Sequence, residues 1–187
     1  MRTISFLSAE LALAGLWLAF RAARWIKQKK IDRKREALLL LLYVDLAVLL
    51  RITFFPMSAP LRPVPPLVFD PAELWPARIN LIPFVRLGDY ADRRDMLLNI
   101  IGNVAMFIPS GILLPILDKR LDSFWKTLGC GALLSLSIEL LQLPFRVRAS
   151  DVDDLLQNSL GVALGYGIFA LLRLIRRKRR ERRGETA

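Results

Sequence analysis

The 187-residue sequence contains no histidine and a single cysteine, Cys130. The missing imidazole excludes histidine-dependent phosphatases, zincin-type metal sites and Ser-His-Asp triads. One thiol forms no disulfide within the chain and builds no cysteine-rich metal site. Cys130 lies inside an apolar run and reads as packing. Neither a G-x-S-x-G elbow nor a phosphate-cradling P-loop pattern occurs. Long polar stretches are scarce as well. Little remains for a soluble domain once the apolar runs are set aside, so residues 1–187 read as one membrane domain.

What is present is hydrophobicity gathered into runs. Hydrophobic residues make up 54% of the chain, above the ~45–50% usual for soluble proteins. About 20 apolar residues span a bilayer as a helix. Spans are expected at residues 4–26, 37–57, 96–117, 123–145 and 155–175. The first ends in Arg21, Arg24 and Lys27 rather than in small residues, so it reads as an uncleaved helix and not a signal peptide. Residues 58–95 open with a proline-rich stretch but keep many apolar and aromatic residues, including Phe69 and Trp75. An ordered surface loop or re-entrant segment is expected there. The fold class is therefore all-α, a polytopic bundle of about five spans.

Charge orients the bundle. The formal net charge is +11, and the basic residues flank apolar runs. This placement points to membrane orientation and anionic lipid rather than nucleic acid. Six Lys and Arg lie at 27–36, three at 118–126 and eight from Arg173 onward, with a basic tail at 176–187. These alternate connections are expected inside, giving an N-out, C-in topology with the proline-rich loop and residues 146–154 outside. A multi-pass membrane protein is the expected setting.

With that threading, the intramembrane polar residues converge on the outer half. Asn99 and Asn103 share one face of the third span. Ser135, Glu139, Gln142 and Arg146 form a stripe on the fourth, and Asp151, Asp154 and Asn158 a face on the fifth. Arg51 ends the second span on the same side. Polar groups cost free energy against lipid, so they should face one another. Glu139 needs a cation or a proton, and Arg51, Arg78, Arg86, Arg146 and Arg148 are candidate partners. Plainer roles remain open. The amides can be interhelical hydrogen bonds alone, at about 0.6 kcal/mol each. Ser150 with Asp153 fits a capping box. Gly161 and Gly165 form a small-xxx-small packing face. Asp45 and Glu10 lie apart from the cluster and carry no assigned role.

The segments RINLIPF (residues 78–84), NIIGNVAMFIPSGILLP (99–115), SIELLQ (137–142) and RASDVDDLLQNSLGVALGY (148–166) resemble the VanZ-like family of bacterial membrane proteins, in the family's order and with similar separations. The motif region runs over 78–175. The resemblance implies a polytopic protein of the cell envelope, in a family whose founding member is associated with low-level resistance to teicoplanin, a lipoglycopeptide. It singles out Arg78, Asn80, Pro83, Phe84, Asn99, Asn103, Glu139, Gln142, Arg148, Asp151, Asp153, Asp154 and Asn158. It names a context and no reaction.

Three functions suit such a site. The first is binding of an amphiphile, either a lipoglycopeptide or a membrane lipid or lipid-linked wall precursor. Arg78, Arg86 and Arg148 would hold phosphate or carboxylate, and Asn80, Asn99, Asn103, Glu139, Gln142 and Asn158 would hydrogen-bond the head. The second is an enzyme acting on an envelope lipid, with Glu139 as general base and Asp151, Asp153 and Asp154 holding a divalent cation. The third is transport along the interrupted third span. Binding without catalysis or cofactor is the favoured expectation, and no nucleic-acid partner is expected.

Overall fold

In hydrocarbon the backbone must satisfy its own hydrogen bonds, so each apolar run closes into a helix. The computed structural model describes residues 2–27, 31–55, 63–75, 78–85, 88, 90, 92–146 and 150–183. In chain order these form β1 (Arg2–Ile4), α1 (Phe6–Lys27), α2 (Arg33–Phe54), β2 (Leu67–Phe69), β3 (Ile79–Asn80), α3 (Arg93–Leu117), α4 (Phe124–Gln142), β4 (Ser150–Asp151) and α5 (Val152–Arg182). Short 3-10 turns lie at Pro71–Leu74 and Lys119–Leu121. All five α-helices are long and apolar enough to cross a membrane.

Polar caps extend several helices beyond their apolar runs. Asp32 caps α2 by accepting from the amides of Lys34 and Arg35, and Asp92 caps α3 by accepting from Asp95. At the other end of the chain, α5 carries its helix through the basic tail to Arg182. Arg and Lys are good helix formers, and cations favour a helix C-terminus. Conversely, α4 stops at Gln142, just before Pro144, and residues 143–145 turn away so that Phe145 bridges Phe69. The expected capping box is replaced. Asp151 caps α5 one residue later than Ser150, and the Asp153 carboxylate goes elsewhere.

The core pairing is α3 against α5. Gly161 packs on the carbonyl of Val104 and Gly165 on that of Ile108, so closely that a Cβ at either position would overlap the facing backbone. Glycine permits this approach of helix to helix. Around it lie Phe107 and Val162, both fully buried, together with Met106 and Ile138. Helix α2 packs on α3, where Ser110 donates a 2.5 Å hydrogen bond to Asp45. That contact gives Asp45 a structural role. Helix α1 is the most peripheral, and Leu7, Leu11 and Leu16 face outward from it. Its buried Arg21 is tied to Glu36 of α2 and lies over the Trp25 ring.

The strands gather at one end. β1 pairs antiparallel with β2, and β3 pairs parallel with β4. β1, β2, β3, β4 and Phe145 therefore meet at one end of the bundle, hereafter the strand end. At the other end Arg24, Arg35, Lys119 and Arg120 surround shared cavities, and Arg173 pairs with Asp122.

Candidate functional site

The strand end owes its geometry to one short parallel pair. Pairing Ile79 with Ser150 and Asn80 with Asp151 brings the β3 loop onto the start of α5. Asn80 donates to Asp151 Oδ1 at 3.0 Å while its own Oδ1 accepts the Ile82 amide at 3.1 Å. The same Asp151 oxygen accepts from the Asp153 amide at 3.0 Å, and the Asp151 amide donates to Glu139 Oε2 at 2.9 Å. Glu139, only 3% exposed, thus joins α4 to the β4–α5 junction, with the Ser150 side chain as a second hydrogen-bond partner.

Asp153 is turned the other way. Both of its oxygens accept the Phe84 amide, at 2.9 and 3.0 Å. Phe84 has φ 64°, in the left-handed region, an uncommon conformation for a bulky residue. Such strain persists where surrounding bonds over-determine it, and the buried carboxylate supplies that hold. The consequence is an outward-facing loop. Leu81, Ile82, Phe84 and Val85 are all more than half exposed, directly beside the buried acidic junction.

The third aspartate serves the α3–α5 contact. Asn103 donates to Asp154 Oδ1 at 2.6 Å and to Gln157 at 3.0 Å. One turn deeper, Asn158 donates to Ser135 Oγ at 2.9 Å. Its own Oδ1 is buried without a hydrogen-bond partner among the described residues. Asn99 is more peripheral: it is exposed and accepts from Tyr90 Oη at 2.8 Å. Burial pushes the Tyr90 phenol above its ordinary value, and the negative charges of Asp154, Asp151 and Asp153 push it further. Tyr90 therefore senses the same acidic junction.

Among the described residues, the expected site residues fall into separate hydrogen-bonded groups. Glu139, Asn80, Asp151 and Asp153 make one connected network. Asn103 and Asp154 make a second. Gln142 leaves both and donates to the Thr53 carbonyl at 2.6 Å, tying α4 to the end of α2. The arginines also differ from expectation. Among the described residues none forms an ion pair with Glu139, whose partners are a backbone amide and a hydroxyl. Arg78 pairs with Glu73 at 2.5 Å, and Arg146 reaches Glu73 at 3.3 Å and Asp70 at 3.7 Å. Arg51 donates to the Phe55 carbonyl and lies over the Phe6 ring. Arg86 and Arg148 lie outside the described residues. The three aspartates bond to different groups, and among the described residues no group of three or more carboxylates is arranged to hold a metal ion.

Tyr90 and Gln157 were not among the candidate site residues, and Phe84 was singled out by resemblance without a role for its amide. Gln157 is legible in hindsight, since it lies three residues after Asp154 and so on the same helical side. A backbone amide leaves no trace in a sequence.

These features define a polytopic helical membrane protein with a hydrogen-bonded acidic junction at one end. The chain belongs to the VanZ/LLP1 family, whose model matches residues 39–173. It is 34% identical over 93 residues to Protein VanZ of Enterococcus faecium, covering 50% of this chain and 53% of that protein. The chain thus spans about half the length of the curated relative it matches. No solved structure matches.

Proposed function

We propose that this protein binds an amphiphile at the strand end, with the polar head at the acidic junction and the apolar part against the 81–85 loop. One observation carries the reading: Asp153 holds an apolar, outward-facing loop beside buried carboxylates and amides. A water-soluble ligand gains nothing from Leu81, Ile82, Phe84 and Val85, and a pure hydrocarbon gains nothing from the junction. A molecule with both parts uses both. Lipoglycopeptides such as teicoplanin, lipid-linked wall precursors and phospholipids have that character. Arg78 and, from the sequence, Arg86 and Arg148 supply guanidinium groups for phosphate or carboxylate. In this reading the strand end faces outward across the bacterial cytoplasmic membrane, because the basic ends favour the inside. A role in glycopeptide resistance is part of the proposal and rests on the family.

Native mass spectrometry of gently solubilised protein tests it directly. A co-purified amphiphile is expected, and its mass separates a wall precursor from bulk phospholipid. Arg78→Ala, Asn103→Ala and Arg148→Ala variants that insert normally should retain less of it and bind less teicoplanin. Equal retention and equal teicoplanin binding across all three would refute the reading. The catalytic alternative, an envelope-lipid enzyme using Glu139 with a divalent cation, is decided by metal-dependent turnover of lipid-linked precursors.

A further inference from the structure

The opposite end of the bundle holds a second feature. Between α1, α2 and the end of α3 lies a cavity of about 230 Å³. Its floor is apolar, formed by Phe20, Leu39, Leu42 and Leu114. Beside it, and sharing Arg24, Arg35, Leu117 and Asp118, is a more polar cavity of about 490 Å³ that also reaches Lys119 and Arg120. The buried Arg21–Glu36 ion pair binds α1 to α2 here. Above it α1 turns Ile26 outward.

Charge at this rim is unbalanced. Arg24, Arg35, Lys119 and Arg120 are exposed and have no carboxylate partner among the described residues. Arg24 rests against the Phe20 ring, with its guanidinium carbon 5.9 Å from the ring centroid. Asp118 is the one acidic lining residue, and it accepts from the Arg120 amide. With Arg21 neutralised by Glu36, the four other described lining cations against Asp118 leave a net charge of +3 around the two cavities.

We infer that this cleft is a binding site for an anionic phospholipid, with one acyl chain on the leucine floor and the phosphate at Arg24, Arg35 and Arg120. Basic pockets between membrane helices suit that head group. A free anion would satisfy the rim and leave the floor unused. The lipid uses both, and it arrives laterally from the leaflet that the cleft faces. The site lies at the far end of the bundle from the amphiphile junction and does not depend on it.

The test uses the full-length protein in nanodiscs of phosphatidylcholine doped with phosphatidylglycerol, and native mass spectrometry counts the retained lipid. Wild type should retain one phosphatidylglycerol in preference to phosphatidylcholine. At ~1 kcal/mol per basic residue near the membrane surface, Arg24→Gln with Arg35→Gln should lower that preference roughly 30-fold. Arg24→Lys with Arg35→Lys should restore most of it. Arg179→Gln with Arg180→Gln removes equal charge from the tail and should leave it unchanged. Leu39→Trp should lower retention by filling the floor while every charge remains. A preference that survives the Arg24/Arg35 replacement overturns the inference. So does one lost equally in the tail variant, which would make the effect general surface charge. Displacement by millimolar inorganic phosphate would also overturn it, because the site would then belong to a free anion.

Discussion

Replacing Asp153 with alanine isolates the contact that shapes the strand end. Asp153 is 7% exposed, and both carboxylate oxygens receive the Phe84 amide. A hydrogen bond to a charged group contributes about 1.5–3 kcal/mol. Against it stands the left-handed Phe84 backbone at φ 64°, which costs about 1–2 kcal/mol for a residue with a Cβ. In the variant the strain is no longer offset, and the loop relaxes outward. Global stability should change little, because the strain released cancels much of the bond lost. Local opening should change substantially. Exchange of the Phe84 amide should accelerate roughly 10- to 100-fold, the range that 1.5–3 kcal/mol implies at ~1.4 kcal/mol per tenfold. Hydrogen exchange read by mass spectrometry over residues 81–85 measures it. Asp153→Asn keeps an acceptor without the charge and should fall between. Phe84→Gly accepts the same φ without penalty, and in the wild-type background it should not accelerate exchange. If Asp153→Ala leaves the Phe84 amide as protected as in wild type, the carboxylate is not what holds the loop. Amphiphile binding should weaken in parallel, since the loop carries the apolar half of the proposed site.

Three further outcomes follow from the geometry. Gly161→Leu forces side-chain atoms into the Val104 carbonyl, so α3 and α5 must part; a loss of about 1–3 kcal/mol is expected in denaturation by mixed detergents. Gly167→Ala, with no atom within 4 Å of the added Cβ, should be silent. Ser110→Ala removes the partner of the buried Asp45 carboxyl and should cost about 1–3 kcal/mol in the same assay; adding Asp45→Leu should recover much of that, because no polar group is then stranded. Tyr90 should ionise above its ordinary value of 10.0. Because its pKa is raised in the folded protein, the stabilisation is fully present below the unfolded value and is lost as pH climbs through the folded one. Phenolate absorbance should show that late titration, Asp154→Asn should bring it earlier, and Tyr90→Phe should remove the associated alkaline loss of stability. A Tyr90 that titrates at or below 10.0 would contradict its burial and the nearby negative charge of the aspartates.

Much of the architecture was legible because the bilayer makes long-range demands that a linear pattern can answer. A helix in lipid satisfies its own backbone, so five apolar runs meant five helices with no knowledge of packing. Their polar ends were harder to read. The start of α5 at Val152 and its continuation to Arg182 depend on capping and on helix-forming basic residues, to which a hydrophobicity pattern is blind. Helical periodicity put Asn103 on one face of α3 and Asp154 with Asn158 on one face of α5. The small-residue spacing of Gly161 and Gly165 likewise marked the helix contact that forms.

Partner choice was decided only by tertiary structure. Glu139 was expected to take a proton or find a cation; among the described residues, the β3–β4 pairing delivers the Asp151 amide to it. Arg78 and Arg146 are drawn to Glu73 and Asp70 at the Pro71–Leu74 turn, on the water-exposed rim, where ion pairing requires less desolvation. Asp45 had no role until α2 and α3 packed and set Ser110 against it. The sequence by itself determined the number of spans and the face that each polar side chain occupies, because both depend on local periodicity and on the cost of polar groups in lipid. Which of those groups bond to which was settled by strand pairing and helix contact, since a hydrogen bond requires approach to about 3 Å and the spacing along a chain does not encode that distance.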